Sequence, residues 1–66
     1  MNAIQAEKKM NIILKKYNLI NDITATTIKN FLTTCIYTTQ LYESEAVKLM
    51  VEYCKSGNLS LNKYNL

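Results

Sequence analysis

The sequence predicts an all-α protein, and three observations support this prediction. Apolar residues recur with a helical period in three segments, turn or cap residues separate the segments, and none of them alternates as a half-buried strand does. We expect helices near residues 3–17, 24–38 and 42–56. The architecture is then a small three-helix bundle, or a helical hairpin with a long, kinked second helix.

The first predicted helix is amphipathic. With about 100° of rotation per residue, one face is apolar and consists of Ala3, Ala6, Met10, Ile13, Leu14 and Tyr17. Four lysines cluster on the opposite face, namely Lys8, Lys9, Lys15 and Lys16. Ile12 projects from the middle of this lysine face. Asn2 and Gln5 have the spacing of a helix-capping pair, so we expect the helix to start at Ala3.

The second segment is rich in threonine, a residue type that favours strands, yet its period is helical. Alternate positions mix apolar and polar side chains, which a strand with one buried face does not do. A helix instead collects the apolar residues on one side: Ala25, Ile28, Phe31, Leu32, Cys35, Ile36 and Tyr42. Burial of that side can outweigh the helix cost of threonine, which is only about some tenths of a kcal/mol per residue. We expect Asn21, Asp22 or Thr24 to cap this helix.

The third segment carries glutamates near its start and Lys55 near its end, as the helix dipole favours. Gly57, the only glycine, stands where a residue in the left-handed conformation would end the helix. Lys48 and Glu52 have the spacing of an ion pair on the exposed side.

The sequence leaves open whether the second and third segments form one helix or two. Apolar positions continue through residues 38–42 in steps of four and three, which favours one long helix with a coiled-coil-like seam. Weak helix formers and possible caps at Thr38 and Thr39 favour a break. We favour the break, because a short chain must fold back to cover its own apolar faces.

We expect one helical domain over residues 1–57 and a C-terminal tail over residues 58–66 that is extended or partly disordered. A 66-residue chain buries only about 60% of the surface that it exposes when unfolded. Its core is therefore small, and a homodimer is the simplest way to enlarge it. The predicted core contains Met10, Leu14, Ile28, Phe31, Leu32, Cys35, Leu49, Met50 and Tyr53.

Composition argues against an enzyme. The chain has two cysteines and no histidine, so we expect neither a four-ligand zinc site nor a cysteine nucleophile with a histidine base. Both cysteines lie on apolar faces and are expected to be free and structural. A single glycine does not make a glycine-rich phosphate loop. We expect no catalytic residues, no cofactor and no metal.

The chain also lacks the sequence patterns of membrane proteins. No run of about twenty apolar residues is present, and we see no signal-peptide pattern at the N-terminus. We therefore expect a cytoplasmic protein. Abundant Lys, Asn, Ile and Tyr indicate an AT-rich genome, such as that of a low-GC bacterium or one of its phages or plasmids.

Protein binding is the function that these exclusions favour. Ile12, Tyr37 and Leu41 lie on faces that a simple monomer would leave exposed, and tyrosine is enriched at binding surfaces. We expect a non-enzymatic protein that binds and inhibits or regulates a partner protein, such as a phage- or plasmid-encoded accessory factor. Packing of the three residues under the tail or the first helix is the alternative.

A small DNA-binding transcriptional regulator is the second functional hypothesis. The net charge is +3, and half of the eight lysines lie on the first helix. Phosphate contacts would use Lys8, Lys9, Lys15 and Lys16. The alternative is that these lysines form an ordinary solvated helix face.

Overall fold

The computed structural model describes residues 2–60, which fold into three α-helices around one core. Helix α1 spans Ala3–Lys16, α2 spans Ile23–Tyr37 and α3 spans Glu43–Ser56. This part of the chain forms no strand. The predicted three-helix bundle is confirmed, with each helix end within one residue of the prediction. The alternative of a single long helix after residue 24 is wrong.

The N-terminus of α1 has no side-chain cap, whereas its C-terminus has a regular capping motif. It begins after Asn2, whose side chain makes no capping hydrogen bond, so the predicted pairing of Asn2 with Gln5 is wrong. It ends in a Schellman motif, in which the backbone N–H of Leu19 donates to the carbonyl of Leu14 at 2.7 Å. Asn18 adopts the left-handed conformation that this motif requires, with φ 60°. Asparagine tolerates that conformation better than most residues.

α2 begins at a capped N-terminus. The carboxylate of Asp22 accepts a hydrogen bond from the backbone N–H of Ala25 at 2.9 Å, so Asp22 is the cap among the three candidates. The hydroxyls of Thr27, Thr33 and Thr34 each donate to the carbonyl four residues earlier. No threonine of α2 is buried, so the helix satisfies these hydroxyls locally and keeps its apolar side for the core.

The chain reverses between α2 and α3 at Thr39. The backbone N–H of Gln40 donates to the carbonyl of Cys35, and that of Thr39 donates to Ile36, which is again a Schellman motif. Thr39 has φ 61°, a conformation that β-branched residues rarely adopt. The break between the helices is thus built on a strained residue.

α3 starts without a side-chain cap, since the N-cap residue Tyr42 makes no capping hydrogen bond. Thr38 and Thr39, the caps considered from the sequence, do not cap it. The helix ends at Gly57, which has φ 72° as the sequence predicts. Among the described residues, no atom beyond Gly57 and its two chain neighbours lies within 4 Å of the position that a Cβ would take there, so only the backbone conformation favours glycine.

The start of the tail turns back along α3. The backbone N–H of Ser60 donates to the carboxylate of Glu52 at 2.7 Å. Leu59 is half-buried and packs against the core. The remainder of the predicted tail, residues 61–66, lies outside the described residues.

The core draws side chains from all three helices. Six of the predicted core residues are buried: Met10, Leu14, Leu32, Cys35, Leu49 and Met50. Ile28 and Tyr53 are half-buried against them. Phe31 is 43% exposed, so its assignment to the core is wrong. The buried centre of α2 runs through Ala25 and Leu32, and Phe31 lies about 100° of helical rotation away from Leu32.

Candidate protein-binding surface on α1

The lysine face of α1 points away from the bundle. Four residues of the opposite face are fully buried: Ala3, Ala6, Met10 and Leu14. Ile12 is two residues from Met10, which places it nearly opposite the buried face. Its side chain is 69% exposed. The helix therefore presents an aliphatic residue to solvent, as the sequence predicts.

Two rows of lysines flank Ile12 on this surface. Lys8 and Lys15 lie on one side of it, and Lys9 and Lys16 on the other, and the two members of each row are seven positions apart. Seven residues of helix correspond to about 10 Å along the axis. We call these five residues the α1 outer face.

One row of lysines is held by contacts within the chain. Nζ of Lys9 lies 3.2 Å from Oε1 of Glu43, which joins α1 to the start of α3. Nζ of Lys16 lies 5.7 Å from the centroid of the Tyr17 ring, within the range of a cation–π contact. Lys9 thus has a carboxylate partner within the chain, whereas Lys16 has none.

All five side-chain carboxylates of the chain are engaged in contacts within the chain. Three glutamates form ion pairs with lysines: Glu7 with Lys29, Glu43 with Lys9, and Glu45 with Lys48. The other two carboxylates accept hydrogen bonds from backbone amides, Asp22 from Ala25 and Glu52 from Ser60. Within residues 2–60, the lysines without a carboxylate partner are Lys8, Lys15, Lys16 and Lys55. Three of these four belong to the α1 outer face, so the uncompensated positive charge is concentrated around Ile12.

The ion pair predicted between Lys48 and Glu52 does not form. Nζ of Lys48 lies 3.8 Å from Oε1 of Glu45, one turn earlier in α3. Oε1 of Glu52 instead accepts the hydrogen bond from Ser60. The tail therefore competes for this carboxylate, which the spacing within one helix does not reveal.

Leu41 lies in the core and not on an exposed face. It is 6% exposed and part of the core, so its prediction as an exposed residue is wrong. The prediction treated Leu41 as a position on the polar side of a helix, but α2 ends at Tyr37. After the turn at Thr39, the loop directs Leu41 inward. Tyr37 itself is 50% exposed.

Ile4 is an exposed apolar residue that the sequence analysis left out of the binding surface. The start of α1 lies beside the end of α2, because a cleft of about 230 Å³ is lined by Asn2 together with Ile36 and Thr39. Ile4 and Tyr37 therefore lie near the same end of the bundle. The position of Ile4 at the margin of the apolar face of α1 could have indicated its exposure from the sequence.

Contacts between the middle of α1 and the middle of α2 form the edge of the α1 outer face on the side of α2. Nζ of Lys29 donates to Oδ1 of Asn11 at 3.1 Å and lies 3.6 Å from the carboxylate of Glu7. The Lys29 side chain is only 14% exposed. These contacts fasten α2 beside α1 and leave the outer face uncovered.

A second cleft, of about 360 Å³, adjoins the first at the end where α1 and α3 begin. It is lined by Asn2, Lys9, Tyr42, Glu43 and Ser44. Tyr42 lines both clefts and is exposed. Within the described residues, no three His, Cys, Asp or Glu side chains gather where they could hold a metal ion.

The cysteines are free thiols, Cys35 buried and Cys54 half-buried. Burial raises the pKa of both thiols above the ordinary value, since the desolvated thiolate is disfavoured. Both are therefore protonated at neutral pH, the less nucleophilic form.

Comparisons of the chain with protein families, curated proteins and solved structures find no match. Across residues 2–60, no helix has the length and apolar character needed to cross a bilayer. The geometry and charge of the α1 outer face are therefore the features from which a function can be inferred.

Proposed function

We propose that this protein works by binding a surface of a partner protein, which it thereby inhibits or regulates, and that the α1 outer face is its binding surface. The observation that carries the proposal is Ile12, 69% exposed at the centre of the uncompensated lysines. Single exposed apolar residues are common. An apolar centre inside a polar rim is, however, the usual arrangement of a protein interface.

Tyr37 and Ile4 extend this surface at one end of the bundle. Both are exposed, and they lie where the start of α1 meets the end of α2. Tyrosine contributes a large contact area with little loss of side-chain freedom. We assign these two residues to the periphery of the interface and Ile12 to its centre.

DNA binding is the second candidate, and the unpaired lysines of α1 favour it. Phosphate groups could neutralise Lys8, Lys15 and Lys16. A phosphate backbone offers no apolar recess, however, so Ile12 would gain nothing from being covered. The first turn of α3 carries Glu43 and Glu45, which makes that helix a poor second contact with DNA.

The same geometry argues against insertion of α1 into a membrane surface. An interfacial helix places its apolar face in the acyl region. In this protein the apolar face of α1 is covered by α2 and α3, and Met10 and Leu14 are fully buried. Insertion would require the bundle to open.

The proposal is tested by capture of partners from a lysate of host cells on the immobilised full chain. Ile12→Lys should reduce the recovery of a specific partner about tenfold or more, because a charge replaces the apolar centre of the interface. The free energy of unfolding should change by no more than about 0.5 kcal/mol, since the side chain is exposed.

The matched control is Ile23→Lys. Ile23 is 83% exposed, but it lies at the start of α2 and outside the α1 outer face. Its substitution adds the same charge at another exposed isoleucine, and partner recovery should stay at the wild-type level. Equal recovery of all captured proteins by the two variants would contradict the proposal. Recovery that depends on nucleic acid and disappears after nuclease treatment would favour the DNA candidate.

A further inference from the structure

We infer that the partner presents an acidic amphipathic helix to the α1 outer face, with an apolar residue of that helix against Ile12. The inference rests on the proposed function and adds the chemistry of the partner surface. It is carried by the charge inventory of the chain together with the two-row arrangement of the lysines.

The charge inventory requires the partner to supply the negative charge. Every side-chain carboxylate of this chain already has an intramolecular contact, and none of these contacts involves Lys8, Lys15 or Lys16. A neutral partner surface would cover these ammonium groups without compensation. Desolvating unpaired charges is costly, so such a surface is disfavoured.

The geometry requires carboxylates on both sides of an apolar position. The lysine rows flank Ile12, and the lysines of a row are two helical turns apart. A helix packed alongside α1 meets this pattern with two acidic residues seven positions apart on the flank of Lys8 and Lys15 and one acidic residue opposite Lys16, since Lys9 is already paired with Glu43. Charged flanking positions set partner choice in the same way in coiled coils.

A second copy of this chain does not meet the requirement. Two α1 outer faces packed together would oppose lysine with lysine, and every side-chain carboxylate of the second copy is already engaged within its own chain. The occupant is therefore a different protein.

The test uses three synthetic helical peptides of equal length and the full chain. The acidic peptide has leucine in its apolar stripe and glutamate on both flanks, the neutral peptide has glutamine for each glutamate, and the third peptide has serine for each leucine. At about 50 mM salt, where exposed charges are weakly screened, the acidic peptide should bind about tenfold or more tightly than either of the others.

Two variants of the chain locate the contact. Lys8→Gln with Lys15→Gln should weaken acidic-peptide binding about tenfold, and raising the salt to about 200 mM should reduce the difference between this variant and the wild type. The control, Lys48→Gln with Lys55→Gln, removes the same charge from α3 and should change binding less than about twofold. Calorimetry measures the dissociation constants.

Four results would overturn the inference. The first three are equal binding of the neutral peptide, equal loss of binding in the α3 control, and failure of the acidic peptide to bind. Tighter binding of a random DNA duplex of about 20 base pairs than of the acidic peptide would also overturn it. If peptide binding fails while Ile12→Lys still abolishes capture of a cellular partner, the inference is wrong and the proposed function stands; if neither responds, both are wrong.

Discussion

Thr39 and Gly57 adopt the same left-handed backbone conformation, with φ 61° and 72°, at the ends of α2 and α3. Glycine adopts it without steric cost, whereas the left-handed conformation costs a residue with a Cβ about 1–2 kcal/mol. The hydroxyl of Thr39 donates to the adjacent carbonyl of Thr38 at 2.6 Å, so it is satisfied locally. The strain at Thr39 is therefore a property of the backbone, which neighbouring packing must offset.

Substitution of Thr39 by glycine should stabilise the protein. We expect the free energy of unfolding to rise by about 0.5–1 kcal/mol, the relief of strain less the greater chain entropy of glycine when unfolded. Gly57→Ala should lower it by about 1 kcal/mol, because only the backbone conformation opposes the Cβ there. Urea denaturation measures both changes. A destabilised Thr39→Gly variant would mean that the side chain of Thr39 contributes more than its strain costs.

The N-termini of the three helices differ in their capping. α2 has a side-chain cap from Asp22, with a 2.9 Å hydrogen bond to the amide of Ala25. Asn2 and Tyr42 occupy the same position before α1 and α3 without such a bond. The amides in the first turns of α1 and α3 thus depend on packing and water more than those of α2 do.

Asp22→Ala should lower the free energy of unfolding by about 1 kcal/mol, since it leaves an amide of the first turn without its acceptor. Asn2→Ala is the matched control, because it removes the side chain at the same helix position where no capping bond exists. Its effect should stay within about 0.5 kcal/mol. Urea denaturation followed by circular dichroism compares the two variants, and equal losses would show that the cap of α2 is not the cause.

At the scale of the whole molecule, burial of the apolar face of α3 within one chain weakens one reason for expecting a dimer. The expectation of a homodimer rests on the small core of a 66-residue chain and on the apolar residues that cover about half of the circumference of the third predicted helix. Ala46, Leu49 and Met50 are buried within one chain, and none of the large exposed apolar residues of the described region lies in α3. Self-association remains a prediction, and α3 is not the surface that explains it.

If the chain dimerises, its mass in solution should be twice 7.6 kDa at high micromolar concentration. Ile12→Lys should leave that mass unchanged, because two α1 outer faces repel one another. Light scattering coupled to size exclusion measures both. A monomer mass for the wild type would contradict self-association, and a loss of the dimer in Ile12→Lys would contradict the repulsion argument.

Features that lie within one helix were predictable from the sequence. The period of apolar residues places Met10 and Leu14 inside and Ile12 outside, and both placements are confirmed. Asp22 and Gly57 act at helix ends through bonds or conformations of their own neighbourhood, so local chemistry indicates them. These properties depend on residues within about one or two turns of each other.

Features that depend on contacts between distant segments of the chain could be determined only from the tertiary structure. Leu41 turns inward because α2 stops before it, and Phe31 is partly exposed because its neighbours on α2 occupy the centre of the core. The pairing of Glu7 and Glu43 with lysines of other helices, and the bond from Ser60 to Glu52, also required the packed helices and the start of the tail. The period of one helix determines which side chains share a face, whereas burial at its edge and the pairing of charges depend on the distances between helices, which no single segment encodes.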